Sequence, residues 1–525
     1  VKLEAPASPD GPPVDVGELS STDPPRLVDR YRMRRHARCR ASAVVIPVIP
    51  FDPTLGVPYY TQIYNGYRTA ILSGRLAHGQ RLPSTRTVAR ELQISRFPVL
   101  MAFDQLLEDG YIVGRQGSGT FVRDPIPDEL TRPIGGRTFL ARPTSHSEPQ
   151  SQFEDDSPAG GRSGPFTVGV PALDRFPNPS FSRLLRDHAS ACPTHLLGYG
   201  DPAGHFPLRE AVTEYLRTAR AVDCDPSQVI IVNGSQMGLV LSALALTDSE
   251  TSVCIEEPSY PGIRRALSLS GAGVIPVAVD DQGIDVAAIR RLSDPVKAVY
   301  VTPAHQYPLG ASLDIVRRLE LLSWAARQEV WIVEDDYESE YRHASRPLAA
   351  LQGLDNNGRV VHVGTFSAAL FPALRLGYVV VPRSLVTAFV RIRESIDLSP
   401  PILYQLALTD FLKQGFFARH LCHMRTIYLA RRNALITAIR EHADDVLILG
   451  NTDAGLHLVT FLPTGIDDQQ VVRLAKDQGM YPSALSTHYV TSAARTGLVL
   501  GFGGSDECAL ARAVKGLADI IRGVQ

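Results

Sequence analysis

Two groups of residues in this chain have the types and spacing to do chemistry. In the first, Glu334-Asp335-Asp336 closes the apolar run Val330-Trp331-Ile332-Val333. A carboxylate at the end of a buried strand is costly unless it meets a partner. Asn233-Gly234-Ser235-Gln236 stands between a strand-like run and a helix-like run. Backbone amides at a helix N-terminus can hold a phosphate there, although that short motif is weak alone. In the second group, Arg86, Ser95 and Arg96 sit among short, hydroxyl-capped helices. Guanidinium groups suit phosphates and guanine edges, so this group points to nucleic acid.

The elements that must position these residues fall into two series. Residues 60–72 are apolar at helical spacing and stop at Ser73-Gly74. Ser84-Thr85-Arg86-Thr87 offers hydroxyl caps to a helix over 87–92, and Ser95 caps a third that runs to about Asp109. Residues 111–122 alternate and contain Gly114, Gly117 and Gly119, which predicts a β-hairpin. Residues 124–165 are rich in Pro, Gly, Ser and Asp and read as a linker. Beyond them, apolar runs at 229–232, 252–255, 298–301, 330–333, 360–363 and 377–381 alternate with amphipathic helices. Buried parallel strands joined by helices fit that pattern better than a sandwich.

Composition narrows the function. With 525 residues the chain exceeds one ordinary domain, and 44% hydrophobic with 21% charged residues is globular. No apolar run has membrane-spanning length and no secretory pattern is visible, so a cytoplasmic protein with no membrane partner is expected. Six scattered cysteines without a CxxC pair argue for a reducing compartment and against a zinc site, so no metal is expected. Net charge is −2, so any contact with nucleic acid must come from a local patch. One such patch is the run 26–40, with seven arginines and one acid, within an extension over 1–50 that reads as disordered. It is either a solvated tail or an arm that adds phosphate affinity.

Residues 62–86, Ile94-Ser95-Arg96 and Gly117-Ser118-Gly119-Thr120-Phe121-Val122 resemble a GntR-type winged helix-turn-helix over about 65 residues. The resemblance implies a DNA-binding domain over 51–123. Arg86, Ser95 and Arg96 become candidate DNA contacts, with Gly117 at the wing tip. The chain departs from that family at Phe97-Pro98, where small polar residues are usual. Phe97 either touches a thymine methyl or packs inward.

Residues 166–525 resemble class I aminotransferases of fold type I, an α/β fold with a mostly parallel sheet. The matching pieces stand in family order: Tyr199-Gly200-Asp201-Pro202, Asn233-Gly234-Ser235-Gln236, Glu257-Pro258-Ser259-Tyr260, Thr302-Pro303-Ala304-His305-Gln306 and Glu334-Asp335-Asp336-Tyr337. The last is Gly364-Thr365-Phe366-Ser367-Ala368-Ala369-Leu370, followed by Arg375. Together with the winged helix, the whole is similar to the MocR/GabR-type subfamily of GntR regulators. The family binds pyridoxal phosphate (PLP). By register, Tyr260 would stack on the ring and Asp335 would pair with the ring nitrogen. Tyr337 would meet the ring hydroxyl, and Arg375 would hold the phosphate with Ser235, Gln236, Thr365 and Ser367. Arg495 is a weaker candidate for a ligand carboxylate. The Schiff-base lysine of the family falls at Ala368, and a methyl group cannot form an imine. The chain has only five lysines, none near Ala368 in sequence.

These expectations favour a homodimeric, DNA-binding transcriptional regulator with a catalytically disabled aminotransferase-like domain. That domain would sense PLP, a PLP–amino acid adduct or another anionic metabolite, with PLP held non-covalently. The partners are then double-stranded operator DNA and a small effector. A working enzyme with an appended DNA-binding domain would need the lysine, and one sequence does not separate a natural alanine from an engineered one. A pure assembly protein would leave the winged helix without a role.

Overall fold

The structure, a computed structural model, describes residues 51–124, 126, 164–343, 349–491 and 495–525. The arginine-rich run and almost all of the linker lie outside the described residues. The chain divides into two compact units, 1–149 and 150–525.

In the first unit, α1 (Tyr59–Leu72), α2 (Thr85–Glu91) and α3 (Arg96–Glu108) precede the hairpin of β1 (Ile112–Arg115) and β2 (Gly119–Val122). Helix α2 starts earlier than its hydroxyl run suggested. Ser84 takes the cap, its Oγ accepting the Thr87 N–H at 3.2 Å. Ile63, Tyr67 and Ile71 of α1 are buried together with Val99, Phe103 and Leu106 of α3. The Tyr67 and Phe103 rings meet edge to face at 5.2 Å. In the hairpin, Ile112 lies opposite Val122 and Arg115 opposite Gly119. Gly117 at its tip has φ +75°, a left-handed conformation that glycine adopts without strain.

The second unit opens with α4 (Asn178–Ser190) and α5 (Phe206–Arg220). It continues through β3 (Val229–Val232), α6 (Ser235–Leu246), β4 (Ser252–Glu257), α7 (Pro261–Ser270), β5 (Gly273–Asp280) and β6 (Gly283–Ile284). Then come α8 (Val286–Arg290), β7 (Val296–Val301), α9 (Ile315–Gln328), β8 (Trp331–Asp336), β9 (Val360–Thr365) and β10 (Gly377–Val380). The eight strands pair in the order β3-β10-β9-β8-β7-β4-β5-β6. Pairs β4–β5, β4–β7, β7–β8 and β8–β9 are parallel. Strand β10 departs from the parallel expectation, since it is antiparallel to both β3 and β9. The segment 366–376 is too short to house a crossover helix, so the chain returns as a hairpin. Strand β3 therefore points the same way as β9. The C-terminal ends of β3, β4, β7, β8 and β9 gather at one edge, where open α/β sheets bind ligands.

Helices α10 (Val386–Asp397), α11 (Ile402–Lys413) and α12 (Phe416–His442) lead to a second sheet. It contains β11 (Ile448–Leu449), β12 (His457–Phe461), β13 (Ser483–Ala484) and β14 (Gly497–Gly501), with α13 (Asp468–Asp477) and α14 (Glu507–Val524). This sheet has the order β11-β12-β14-β13 and is antiparallel throughout. Leu510, Val514, Leu517 and Ile521 of α14 share one buried cluster with Leu435 and Ile439 of α12. No described helix is long and apolar enough to cross a membrane.

Candidate functional site

At the gathered edge, Gly234 ends the turn from β3 into α6 with φ +82°. A Cβ at Gly234 would lie 2.9–3.1 Å from the Arg375 guanidinium. Only glycine lets that cation lie against the N-terminus of α6. Arg375 itself adopts φ +51° and donates to the Asn233 carbonyl at 2.8 Å. A guanidinium beside the free amides of a twelve-residue helix is a cradle for a phosphate-sized anion. Ser235 stands in the first turn of α6. Gln236, one residue on, donates from its amide to the Gly262 carbonyl at 2.9 Å, while its own carbonyl oxygen is buried without a partner. A cavity of about 520 Å³ opens beside Arg375, with Gln236, Met237, Leu376 and Tyr404 among its walls.

Alternation along β8 separates three carboxylates. Glu334 and Asp336 share one face and are provided for. Arg220 donates to Asp336 at 2.8 and 3.1 Å, and His362 meets Glu334 at 3.0 Å. Burial works against both carboxylate charges, but His362 holds Glu334, and Arg220 holds Asp336, below the usual carboxylate range. Asp335 faces the other way. Its Oδ2 accepts the Tyr300 hydroxyl at 2.8 Å, and its Oδ1 is buried with no partner. Burial pushes Asp335 up to about 7, against the Tyr300 hydrogen bond. It is the one carboxylate of the three without a cation.

Burial raises the Tyr260 phenol pKa and the Asp335 charge adds to that, while Arg265 and then Arg375 oppose it. The ring meets Tyr307 edge to face at 5.7 Å, and Tyr307 meets Tyr337 at 5.8 Å. The Tyr337 hydroxyl hydrogen-bonds His305 Nδ1 at 3.0 Å. Thr365 is buried at the end of β9, and its hydroxyl accepts the Ser367 N–H at 3.1 Å. Ala368 follows, 7% exposed, in a turn closed by Leu370 N–H donating to Phe366 O at 2.8 Å. The described lysines, Lys297, Lys413, Lys476 and Lys515, are all exposed, so none of them lines this edge as a buried substitute.

Arg495 joins none of these hydrogen bonds. It is exposed, with its guanidinium 3.6 Å over the Phe461 ring. The motif register gave no role to Tyr300, Tyr307, His305 or His488. Tyr300 reads as an ordinary apolar strand residue, and only the pairing of β7 with β8 sets it beside Asp335. His305 lies in the Thr302-to-Gln306 motif and Tyr307 directly follows it, and the polar side chains there were the available signal. His488 stacks on Tyr307 at 5.3 Å from a loop 181 residues away, which no local pattern marks.

In the first unit, Arg86 lies in the opening turn of α2 and Arg96 opens α3, both exposed. Arg96 Nε donates to Thr85 Oγ1 at 3.1 Å, joining the two helix starts. Ser95 occupies the cap position of α3, yet its hydroxyl makes no capping hydrogen bond. Phe97 does not pack inward, since it is 69% exposed. Arg86, Ser95, Arg96 and Phe97 thus leave the helix starts α2 and α3 polar and cationic, with one aromatic ring outward.

The pattern of the aminotransferase class I and II family matches residues 178–499, and that of the gntR family of bacterial regulatory proteins matches residues 59–122. The probable rhizopine catabolism regulatory protein MocR of Rhizobium meliloti is 38% identical over 87% of this chain and 93% of its own length. The chain belongs to this family of HTH-type transcriptional regulators. The pyridoxine biosynthesis transcriptional regulator PdxR of Corynebacterium glutamicum is 29% identical over 91% of this chain and 98% of its own. Among solved structures, the Pyrococcus horikoshii kynurenine aminotransferase, complexed with PMP and its substrates, superposes with a TM-score of 0.63 at 27% identity. That match covers 68% of this chain and 89% of the other. An archaeal alanine:glyoxylate aminotransferase gives 0.65 at 24% identity over 68% of this chain and 90% of the other, a likeness of fold. This family member is a DNA-binding regulator with an aminotransferase-like domain.

Proposed function

We propose that the aminotransferase-like domain of this regulator senses a PLP-class ligand without forming a covalent bond to it. The observation that carries this reading is the orphaned Asp335 Oδ1, buried beside Tyr300 at the same sheet edge where Arg375 lies against the N-terminus of α6. A planar ligand with a cationic ring nitrogen and a phosphate fits those needs. Asp335 would hold the ring nitrogen, Arg375 and the α6 amides the phosphate, and Tyr260 a ring face. When bound, such a ring withdraws electrons and can stabilise a carbanion. Asp335 would keep the ring nitrogen protonated.

Ala368 sets the limit on chemistry. Its methyl offers no amine to capture an aldehyde and no base to move a proton. The domain therefore reads ligand, or its adduct with an amino acid, as a reversible occupant. The pyridoxine-related name of one relative agrees with that ligand class. A homodimer is the expected assembly, because paired half-sites mirror a two-fold protein.

The test is a PLP titration of the purified full-length chain, followed by absorbance, with borohydride reduction and mass spectrometry. Saturable binding with no pyridoxyl-lysine is expected. A reduced adduct on any lysine would overturn the non-covalent reading, and absence of binding would overturn the ligand class.

A further inference from the structure

Behind Tyr337 lies a cluster that the ligand site does not use. His305 comes from the loop after β7, Glu338 from the loop after β8, and His457 opens β12 of the second sheet. All three are buried, at 2–3% exposure, and one ligand atom from each lies within 4.8 Å of the others.

The hydrogen-bond inventory shows why this is not an ordinary polar contact. His457 Nε2 meets the Pro308 carbonyl at 3.0 Å. A carbonyl only accepts, so Nε2 is the donor of this contact and Nδ1 is the ring nitrogen left for another partner. That Nδ1 is buried with no partner and stands 3.7 Å from Glu338 Oε2. The separation is too long for a hydrogen bond. It is close to the edge between two ligand atoms that share an ion at about 2.0–2.2 Å. Glu338 Oε2 is oriented by the Leu456 N–H at 2.7 Å, and His305 by the Tyr337 hydroxyl at 3.0 Å. Outer partners of this kind fix a metal ligand's tautomer and direction. Gly455 keeps the space between them open. Its φ is +80°, and a Cβ there would fall 2.1 Å from His305 Cε1 and 2.9 Å from Glu338 Oε2.

We propose that His305, Glu338 and His457 form a binding site for one divalent transition-metal ion, zinc by donor type. Two imidazoles and one carboxylate are an N/O set that zinc takes in tetrahedral sites, with water as fourth ligand. The ion would neutralise a buried carboxylate and tie the eight-stranded sheet to the second sheet through β12. The expectation of no zinc rested on cysteine spacing, and no cysteine takes part here.

The experiment uses the full-length chain, stripped with chelator and titrated with zinc ion alone. The wild type should bind one ion per chain at this site and gain thermal stability on binding. His457→Ala and Glu338→Gln should each weaken binding by more than the roughly 10–100-fold that outer-shell changes cause. Unchanged zinc affinity in a folded His457→Ala protein would overturn the site. X-ray absorption at the zinc edge of the wild type decides the matter if the variants do not fold. Two imidazoles with oxygen would uphold the assignment, whereas sulfur scattering or no retained zinc would overturn it. In the last case the 3.7 Å contact is a histidine–carboxylate pair without an ion.

Discussion

Replacing Asp335 by Asn separates stability from ligand binding in opposite directions. Burial carries the Asp335 carboxyl from 3.8 up to about 7 in the folded chain. The unfolded chain ionises near 4, so between about pH 4 and pH 7 it releases a proton that the ligand-free fold retains. The folded state therefore loses stability as pH rises through that window, and the loss is complete above about pH 7. About three pKa units correspond to a ceiling of about 4 kcal/mol. Asn keeps an oxygen for the Tyr300 hydroxyl and carries no charge. Ligand-free Asp335→Asn should thus be more stable than the wild type by about 2–4 kcal/mol at pH 8, with a gap that shrinks toward pH 5. Bound PLP should shrink that gap by at least about 1.4 kcal/mol, because only the carboxylate pairs with a cationic ring nitrogen. Loss of that pairing should weaken PLP by at least about tenfold. Urea unfolding of both proteins from pH 5 to 8, without and with PLP, measures this. A gap that does not change with pH would refute the desolvation argument.

Ala368→Lys supplies an amine at the Schiff-base position, so on the proposed site that variant should turn yellow with PLP and yield a borohydride-reducible lysine bond. A colourless variant would mean that residues beyond 368 no longer suit the cofactor. Arg96→Ala should weaken binding to specific DNA by about 1–3 kcal/mol in a gel-shift titration if the guanidinium reads a base edge. Unchanged affinity would leave Arg96 as a tie to Thr85 only. Removing residues 1–40 should flatten the salt dependence of DNA binding, read from affinity against salt concentration. An unaltered slope would assign the arginine-rich run to solvent.

Local pattern was enough wherever one segment carries its own signal. The start of α3 after Ser95, the Gly117 turn and the apolar runs that became β3, β4, β7, β8 and β9 stand where periodicity put them, whereas α2 begins two residues before the expected 87. Strand β10 was legible as a strand but not in direction, because direction depends on the length of the 366–376 return rather than on composition. The separation of Asp335 from Glu334 and Asp336 follows from strand alternation, yet its partner Tyr300 required the register of β7 on β8. His457 and His488 reach the Tyr307 loop across 149 and 181 residues. Contacts at that range leave no periodic trace. Arg495 illustrates the converse, a residue type suited to a carboxylate that the fold sets over Phe461.

The proposed sensing requires that a non-covalent ligand in the aminotransferase-like domain alter DNA binding. Calorimetric titration of PLP and PMP into the full-length chain, free and bound to a DNA site recovered by in vitro selection, tests it most directly. Linkage requires the factor by which ligand changes DNA affinity to equal the factor by which DNA changes ligand affinity. Saturable binding is expected in both forms, with affinities that differ by a factor within about 5–150. Identical affinities in the two forms, or no binding in either, would contradict it.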